Sequence, residues 1–285
     1  MDATIKFLPA NMPQRPAMLE RLATVLDPEL DESVLKLGFI QEITLENGQA
    51  VVDLQLPTGW CAANFAYMMA QDVRQALLGI EGVNQVALKL NDHFDAQRIE
   101  TGIEQGHSFM QVYQNEATEG LEPLRQIFLR KAYTARQLRF LRTLLDVGLN
   151  GETICTLTLA DLRVQDGQAQ VYVAGAWLTL ADAAPMQRYL DQRAKLDLDC
   201  APAAPLLLDV KGAAVSPAEY PTYWRYARTI QIAMEANGSL CTVLLQGRNE
   251  VQRQIALQPH LYSSTKQTFN LHFQQEETDV QTERA

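Results

Sequence analysis

The sequence predicts an α+β chain in two parts: a small α/β domain with the order helix, hairpin, helix, strand, then a mainly helical domain with a small β-sheet. Three observations carry this. Over residues 1–95, short alternating apolar runs flank one amphipathic helical stretch, the pattern of strands around a crossover helix. Beyond residue 121, apolar residues recur at helical spacing over longer stretches. The charge divides in the same way: residues 1–110 hold 7 Lys and Arg against 15 Asp and Glu, and the remainder holds 17 against 19. A chain of 285 residues can bury two cores of ordinary size.

The first helix is "MLERLATVL", whose apolar residues keep helical spacing. "DPELDESVLKLG" continues with a turn and a short helical segment that Gly38 can end. In "FIQEITLENGQAVVDLQL" the residues alternate, with Val52, Leu54 and Leu56 on one face, around Asn47-Gly48. That dipeptide favours a type I′ hairpin turn. From Cys61 the spacing lengthens to Phe65, Met69, Val73 and Leu77, which predicts an amphipathic helix ending near "GIEG". Val86, Leu88 and Leu90 then restore strand alternation, and a strand after a crossover helix returns parallel to its predecessor. Residues 96–120 are polar with scattered apolar positions and read as a connecting segment with some helix.

The second part spans residues 121–270. "YTARQLRFLRTLLDVGL" places Thr134 and Gln137 at capping-box spacing before Leu138, Leu141, Leu144 and Leu145. "NGETICTLTLADL" reads as a second helix, "VQDGQAQVYVAGAWLTL" as a short sheet turning at Asp166-Gly167, and "ADAAPMQRYLDQRAKL" as helix again. Ser216-Pro217-Ala218-Glu219 combines a cap, a first-turn proline and a reciprocal carboxylate, and starts a further helix. Residues 271–285 are polar and read as a disordered tail.

Composition excludes several classes. No apolar run approaches the ~18 residues that cross a bilayer, and no signal peptide opens the chain, so a cytoplasmic protein is expected. There Cys61, Cys155, Cys200 and Cys241, widely spaced and without a CxxC pair, stay reduced. A net charge of −10 repels phosphate backbones and argues against nucleic-acid binding. One basic run stands out: Arg125, Arg130, Lys131, Arg136, Arg139 and Arg142 occur with no acidic residue among them. It reads as a solvated helix face, or as one that meets an acidic partner or the chain's own N-terminal domain. No phosphate-binding loop, dinucleotide fingerprint, HExxH or nucleophile elbow is present.

Cys61 follows a predicted strand and opens a predicted helix. The unpaired N–H groups and positive dipole end of a helix favour thiolate there, the form that binds metal or attacks sulfur. A small buried hydrophobe is the competing reading. Asp27 and Glu29 could offer oxygen to iron, or Asp27 could cap a helix-entry turn in which Pro28 fixes φ. His93 beside Asp92 and Asp95 has ligand chemistry without ligand spacing and reads as a solvated loop, as does His107. Cys155 and Cys241 lie in apolar helical patterns and read as core, and Cys200 as exposed loop.

"LDPELDESVLKLGFIQEI", "PTGWC" and "GIEGVNQVALKL" together resemble the small iron-sulfur assembly domain of the phenylacetate-degradation D protein and the Suf T-type maturation factors. The resemblance covers about residues 17–92. It is carried by Asp27-Pro28-Glu29, Leu37-Gly38, Thr58 three positions before Cys61, and Gly82-Val83. Ala62 and Lys36 stand where that family usually has a proline and an acidic residue. The resemblance implies an accessory factor, not an enzyme, that builds or delivers an iron-sulfur or related metal centre for a client metalloenzyme or the assembly machinery. It implies Cys61 and Thr58 as cluster-binding residues, with Cys61, Asp27 and Glu29 toward metal. Clusters usually take four thiolates. Cys61 would then share a transient cluster across a homodimer, share it with a client, or act on sulfur. The alternative is a chaperone-like adaptor for an oxygenase or other metalloenzyme that binds no cluster.

"LLDVGLNGETICTLTLADL" and "APLLLDVKGAAVS" resemble the catalytic domain of tyrosine recombinases over about residues 124–245. Asn150 stands where those enzymes carry an active-site arginine, and His260 is followed by Leu261, Tyr262 and Ser263 instead of completing His-x-x-Arg. Without guanidinium groups to stabilise a pentacovalent phosphate, Tyr262 has no route to strand cleavage. A non-catalytic reuse of the scaffold is expected.

Overall fold

The computed structural model describes residues 5–257; the expected tail at 271–285, His260 and Tyr262 lie outside the described residues. The α+β class holds. The first unit runs β1 (Lys6–Leu8), α1 (Arg15–Ala23), β2 (Leu26–Asp27), β3 (Glu32–Ser33), β4 (Ile40–Glu46), β5 (Gln49–Leu54), α2 (Ala63–Leu78) and β6 (Gln85–Leu90). Its sheet has the order β1-β4-β5-β6. The β4–β5 pair is the expected antiparallel hairpin. Asn47 and Gly48 take φ of 51° and 82°, the left-handed pair that a type I′ turn demands. β6 returns parallel to β5, and Val52, Leu54, Val86, Leu88 and Leu90 enter one core with Met69, Val73 and Leu77 of α2.

Two local readings are corrected. The segment after α1 forms no helix; it folds into the two-residue β2–β3 pair and turns. Asp27 Oδ1 accepts the N–H groups of Glu29 (2.8 Å) and Leu30 (2.9 Å), and Asp31 takes φ of 54°. A side chain that satisfies those amides, followed by a left-handed residue, stops a helix from propagating. β1, parallel to β4 at the sheet edge, is a strand too short to show in the alternation. Residues 96–120 contain α3 (Ala96–Glu104) and α4 (Phe109–Val112), and Ile99, Ile103 and Tyr113 join the first core.

The second unit comprises α5 (Glu122–Asp146), α6 (Gly151–Thr156), the β7 (Leu162–Gln165), β8 (Gln168–Val173) and β9 (Ala176–Thr179) sheet, α7 (Ala184–Lys195) and α8 (Tyr220–Leu257). The three strands pair antiparallel, with the first turn at Asp166-Gly167 as expected and a second at Ala174-Gly175. The expected helix start at Thr134 is not one: α5 runs unbroken past it. Thr134 Oγ1 donates back to Arg130 O at 3.0 Å, and Gln137 Nε2 donates to Tyr133 OH (2.9 Å) and Leu208 O (3.0 Å) inside the core. Side chains that suit a cap also suit buried pairing, so spacing alone misplaced the boundary. The "NGETICTLTLADL" helix is only six residues, capped by Asn150 Oδ1 accepting from Thr153 N (2.9 Å). Ser216 and Glu219 bond reciprocally, as their spacing requires, ahead of α8.

The two units meet along two seams. At one, the Arg136 guanidinium forks onto the Asp31 carboxylate at 2.7 and 2.6 Å, with Arg136 only 7% exposed. Nearby Arg125 forks onto Asp72 at 2.8 and 3.0 Å. The basic face of α5 is thus not simply solvated: two of its arginines meet this chain's own N-terminal carboxylates. At the other seam, α8 crosses the first unit and places Leu245 in its core.

Candidate functional site

Cys61 lies in the loop between β5 and α2, beside the carboxyl ends of the parallel β5–β6 pair, the edge where open α/β sheets place ligands. The loop is pinned to the residues after β6. Phe94 N donates to Gly59 O at 3.0 Å, and a Cβ at Gly59 would stand 2.5 Å from Asp92 O, so only glycine permits this approach. His93 Nε2 lies 2.7 Å from Cys61 O, and Asp95 N donates to His93 Nδ1 at 3.2 Å. With Nδ1 accepting, Nε2 is the donor that fixes the Cys61 backbone.

Thr58 and Cys61 do come together. Thr58 Oγ1 and Cys61 Sγ lie 3.4 Å apart, and Trp60 N donates to Thr58 Oγ1 at 3.2 Å. Cys61 does not begin the helix, however. α2 starts at Ala63, and its cap is Ala62, which is extended and offers no side-chain bond. Beside the thiol, Trp60 (81% exposed) stacks on Phe94 (60% exposed), with centroids 5.5 Å apart.

Asp27 ends β2 and Glu29 lies in the turn to β3. Asp27 is buried. Burial pushes its carboxyl up to about 6, against the lowering effect of the Leu30 and Glu29 amides, while the Glu29 charge adds to the rise. Glu29 Oε1 accepts from Asn237 Nδ2 of α8 at 3.2 Å. Among the described residues no three His, Cys, Asp or Glu side chains stand together as a metal site.

The solvated-loop reading of His93 is corrected: it is 6% exposed and bonded through both ring nitrogens. His107 is exposed, as expected. Sequence reasoning also missed Arg248 of α8, which donates to Leu56 O (2.8 Å), Asn91 O (3.2 Å) and Asp92 O (2.7 Å) and so ties together the ends of β5 and β6. No local signal marks an arginine 192 residues from its acceptor. Of the other cysteines, Cys200 is exposed and Cys155 and Cys241 are partly buried. Burial pushes the Cys155 thiol up and, helped by the charges of Asp27, Cys61 and Glu29, pushes that of Cys241 up to about 11.

The fold and this loop define a small α/β domain that presents one anchored cysteine at its strand ends. A family model described as iron-sulfur cluster assembly protein matches residues 15–88, a stretch that contains Asp27, Glu29, Thr58 and Cys61 and supports a general role in iron-sulfur assembly or maturation. Among curated proteins none matches the chain. No described helix is long and apolar enough to cross a membrane.

Proposed function

We propose that the chain is a non-catalytic maturation factor that carries an iron-sulfur or related metal cargo at Cys61 and passes it to a client metalloenzyme. The observation that carries this is the anchored cysteine inside the matched segment. Gly59, His93 and Arg248 fix the loop backbone on three sides, so Cys61 is presented in one geometry, with Thr58 as its hydroxyl neighbour. The thiolate supplies the soft ligand that iron requires. Cargo takes its remaining ligands from sulfide, from a second chain or from the client. The helical unit, welded on through Asp31–Arg136, serves client recognition and has no strand-cleaving role, since Asn150 is spent as a helix cap.

The exposed Trp60–Phe94 stack favours a second reading, an adaptor that docks on an apo-metalloenzyme without holding a cluster, because exposed aromatics are typical binding anchors. Anaerobic reconstitution of the full chain with iron and sulfide separates the two. The cargo reading expects thiolate-to-iron absorption and bound iron that Cys61→Ser loses; a wild type that binds neither leaves the adaptor. Truncation at residue 121 is not a clean test, because it removes Leu245 from the first core and Arg136 from Asp31.

A further inference from the structure

α8 is apolar on two opposite faces. Inward, Ala227, Gln231, Met234, Leu245 and Arg248 turn toward the rest of the chain, buried or partly so. Outward, Ile232, Ala236, Leu240, Val243, Gly247 and Val251 are exposed and follow one another at steps of three and four residues, the period of a single helix face. Leu244 lies at its edge. Ile232, Leu240, Val243, Leu244 and Val251 are each at least 40% exposed, and from Ala236 to Gly247 no residue carries a charge. A helix face that stays in water is normally charged or polar, so this face is suited to being covered. Gly247 makes the same point. Inside a helix glycine costs stability against alanine, and a Cβ there would meet nothing within 4 Å, so no contact among the described residues calls for it.

We propose that the outward face of α8 pairs with the same face of a second copy of the chain, antiparallel about a two-fold axis between Val243 and Leu244. A two-fold interface must be self-complementary, and this register is. Val243 faces Leu244 of the second copy, Leu240 faces Gly247, and Ala236 faces Val251. Beyond the axis each layer sets a large side chain against a small one, so the helices approach closely where glycine leaves room. Glu235 and Arg253 lie on one flank of the helix, about five turns apart. The antiparallel register brings Glu235 of each copy beside Arg253 of the other, and like charges do not meet. Across both copies the five large side chains expose on the order of 1,000 Å², where specific interfaces begin. Leu245 and Arg248, which pack on the first unit and its Cys61 loop, turn to the opposite face, so pairing leaves them in place whether or not Cys61 carries cargo.

Sedimentation equilibrium of the reduced full chain tests this. The wild type should run at twice the 31.9 kDa chain mass at micromolar concentration. Val243→Glu and Leu240→Glu, which put a carboxylate into the interface from exposed positions, should raise the dissociation constant about a hundred-fold or more with unchanged far-ultraviolet circular dichroism. Val164→Glu, exposed on β7, should leave it unchanged. Gly247→Ala separates the second copy's demand from the helix's own. It should raise the thermal midpoint of the dilute monomer yet weaken pairing about ten-fold. For the register, Val243→Cys should cross-link under mild oxidation and Ala236→Cys should not, because only the first lies near the axis. A wild type still monomeric at ~100 µM overturns the proposal and leaves the face to a client or to the chain beyond Leu257. A dimer that both glutamates leave intact overturns it as well, and cross-linking of Ala236→Cys above the wild-type background overturns the antiparallel pairing.

Discussion

The two seams between the units are built from different chemistry. Asp31 and Arg136 form a forked ion pair with both side chains buried. At the α8 seam the bonds run mostly from an arginine and two amides to backbone carbonyls and exposed carboxylates. A buried pair is costly to break, because either partner left alone is an uncompensated charge in a poorly solvated place. Bonds to carbonyls near solvent exchange with water at a net cost of only ~1 kcal/mol each. The first seam is therefore a weld. The second, where Arg248 reaches the ends of β5 and β6 beside the Cys61 loop, rests on bonds that are individually cheaper to lose.

The comparison breaks most visibly at the weld. Arg136→Ala and Asp31→Ala should each cost roughly 3–5 kcal/mol in urea unfolding. Replacing both by apolar residues of similar size should recover much of that loss; a double variant as unstable as the singles would show that the seam depends on more than the pair.

Asp27 borders the other seam and gives the next effect. Its folded value, about 6, lies above the ordinary 3.8, so the folded chain binds more protons across that window. Stability from this group is present below it and lost as pH rises through it, by roughly 3 kcal/mol at most for such a shift. Asp27→Asn keeps an acceptor for the Glu29 and Leu30 amides but cannot ionise. It should flatten the pH dependence of the unfolding midpoint between about pH 4 and 6 and gain stability at neutral pH; an unchanged slope would place the titration elsewhere.

Smaller in stability, and sharper in location, is Arg248→Ala. Leaving Leu56 O, Asn91 O and Asp92 O without this donor should cost ~1–3 kcal/mol. Alkylation of Cys61 and Cys241 should speed up in the folded variant while that of Cys155 does not. Equal rates at all three would mean that α8 does not shield the loop.

Elements encoded locally were legible in the sequence. Asn47-Gly48 marks its hairpin through left-handed dihedrals that few other residues adopt, and Val73 and Leu77 mark α2 by period. Thr58 beside Cys61 follows from a three-residue loop spacing. What failed was decided elsewhere in the fold. Asp27 holds a turn that resembles a helix start, and Thr134 and Gln137 imitate a cap because the same side chains satisfy a buried network. His93 looked like a solvated loop residue because its partner, Cys61 O, lies 32 residues away. Cys241 reads as core by its neighbours in sequence, whereas it is only partly buried. Arginines 125 and 136 are indistinguishable from the rest of their run until Asp72 and Asp31 are placed against them.

The central claim, that Cys61 carries cargo to an acceptor, is tested most directly by transfer. The full chain, loaded anaerobically with iron and sulfide and freed of unbound iron, is mixed with an apo-ferredoxin whose cluster has its own circular dichroism. The wild type should convert the acceptor to its holo form and lose its own iron in step, while Cys61→Ser, equally folded and taken through the same loading, should convert none beyond the rate of free iron and sulfide. Conversion by Cys61→Ser at the wild-type rate would contradict the account and leave Cys61 a structural residue of its loop.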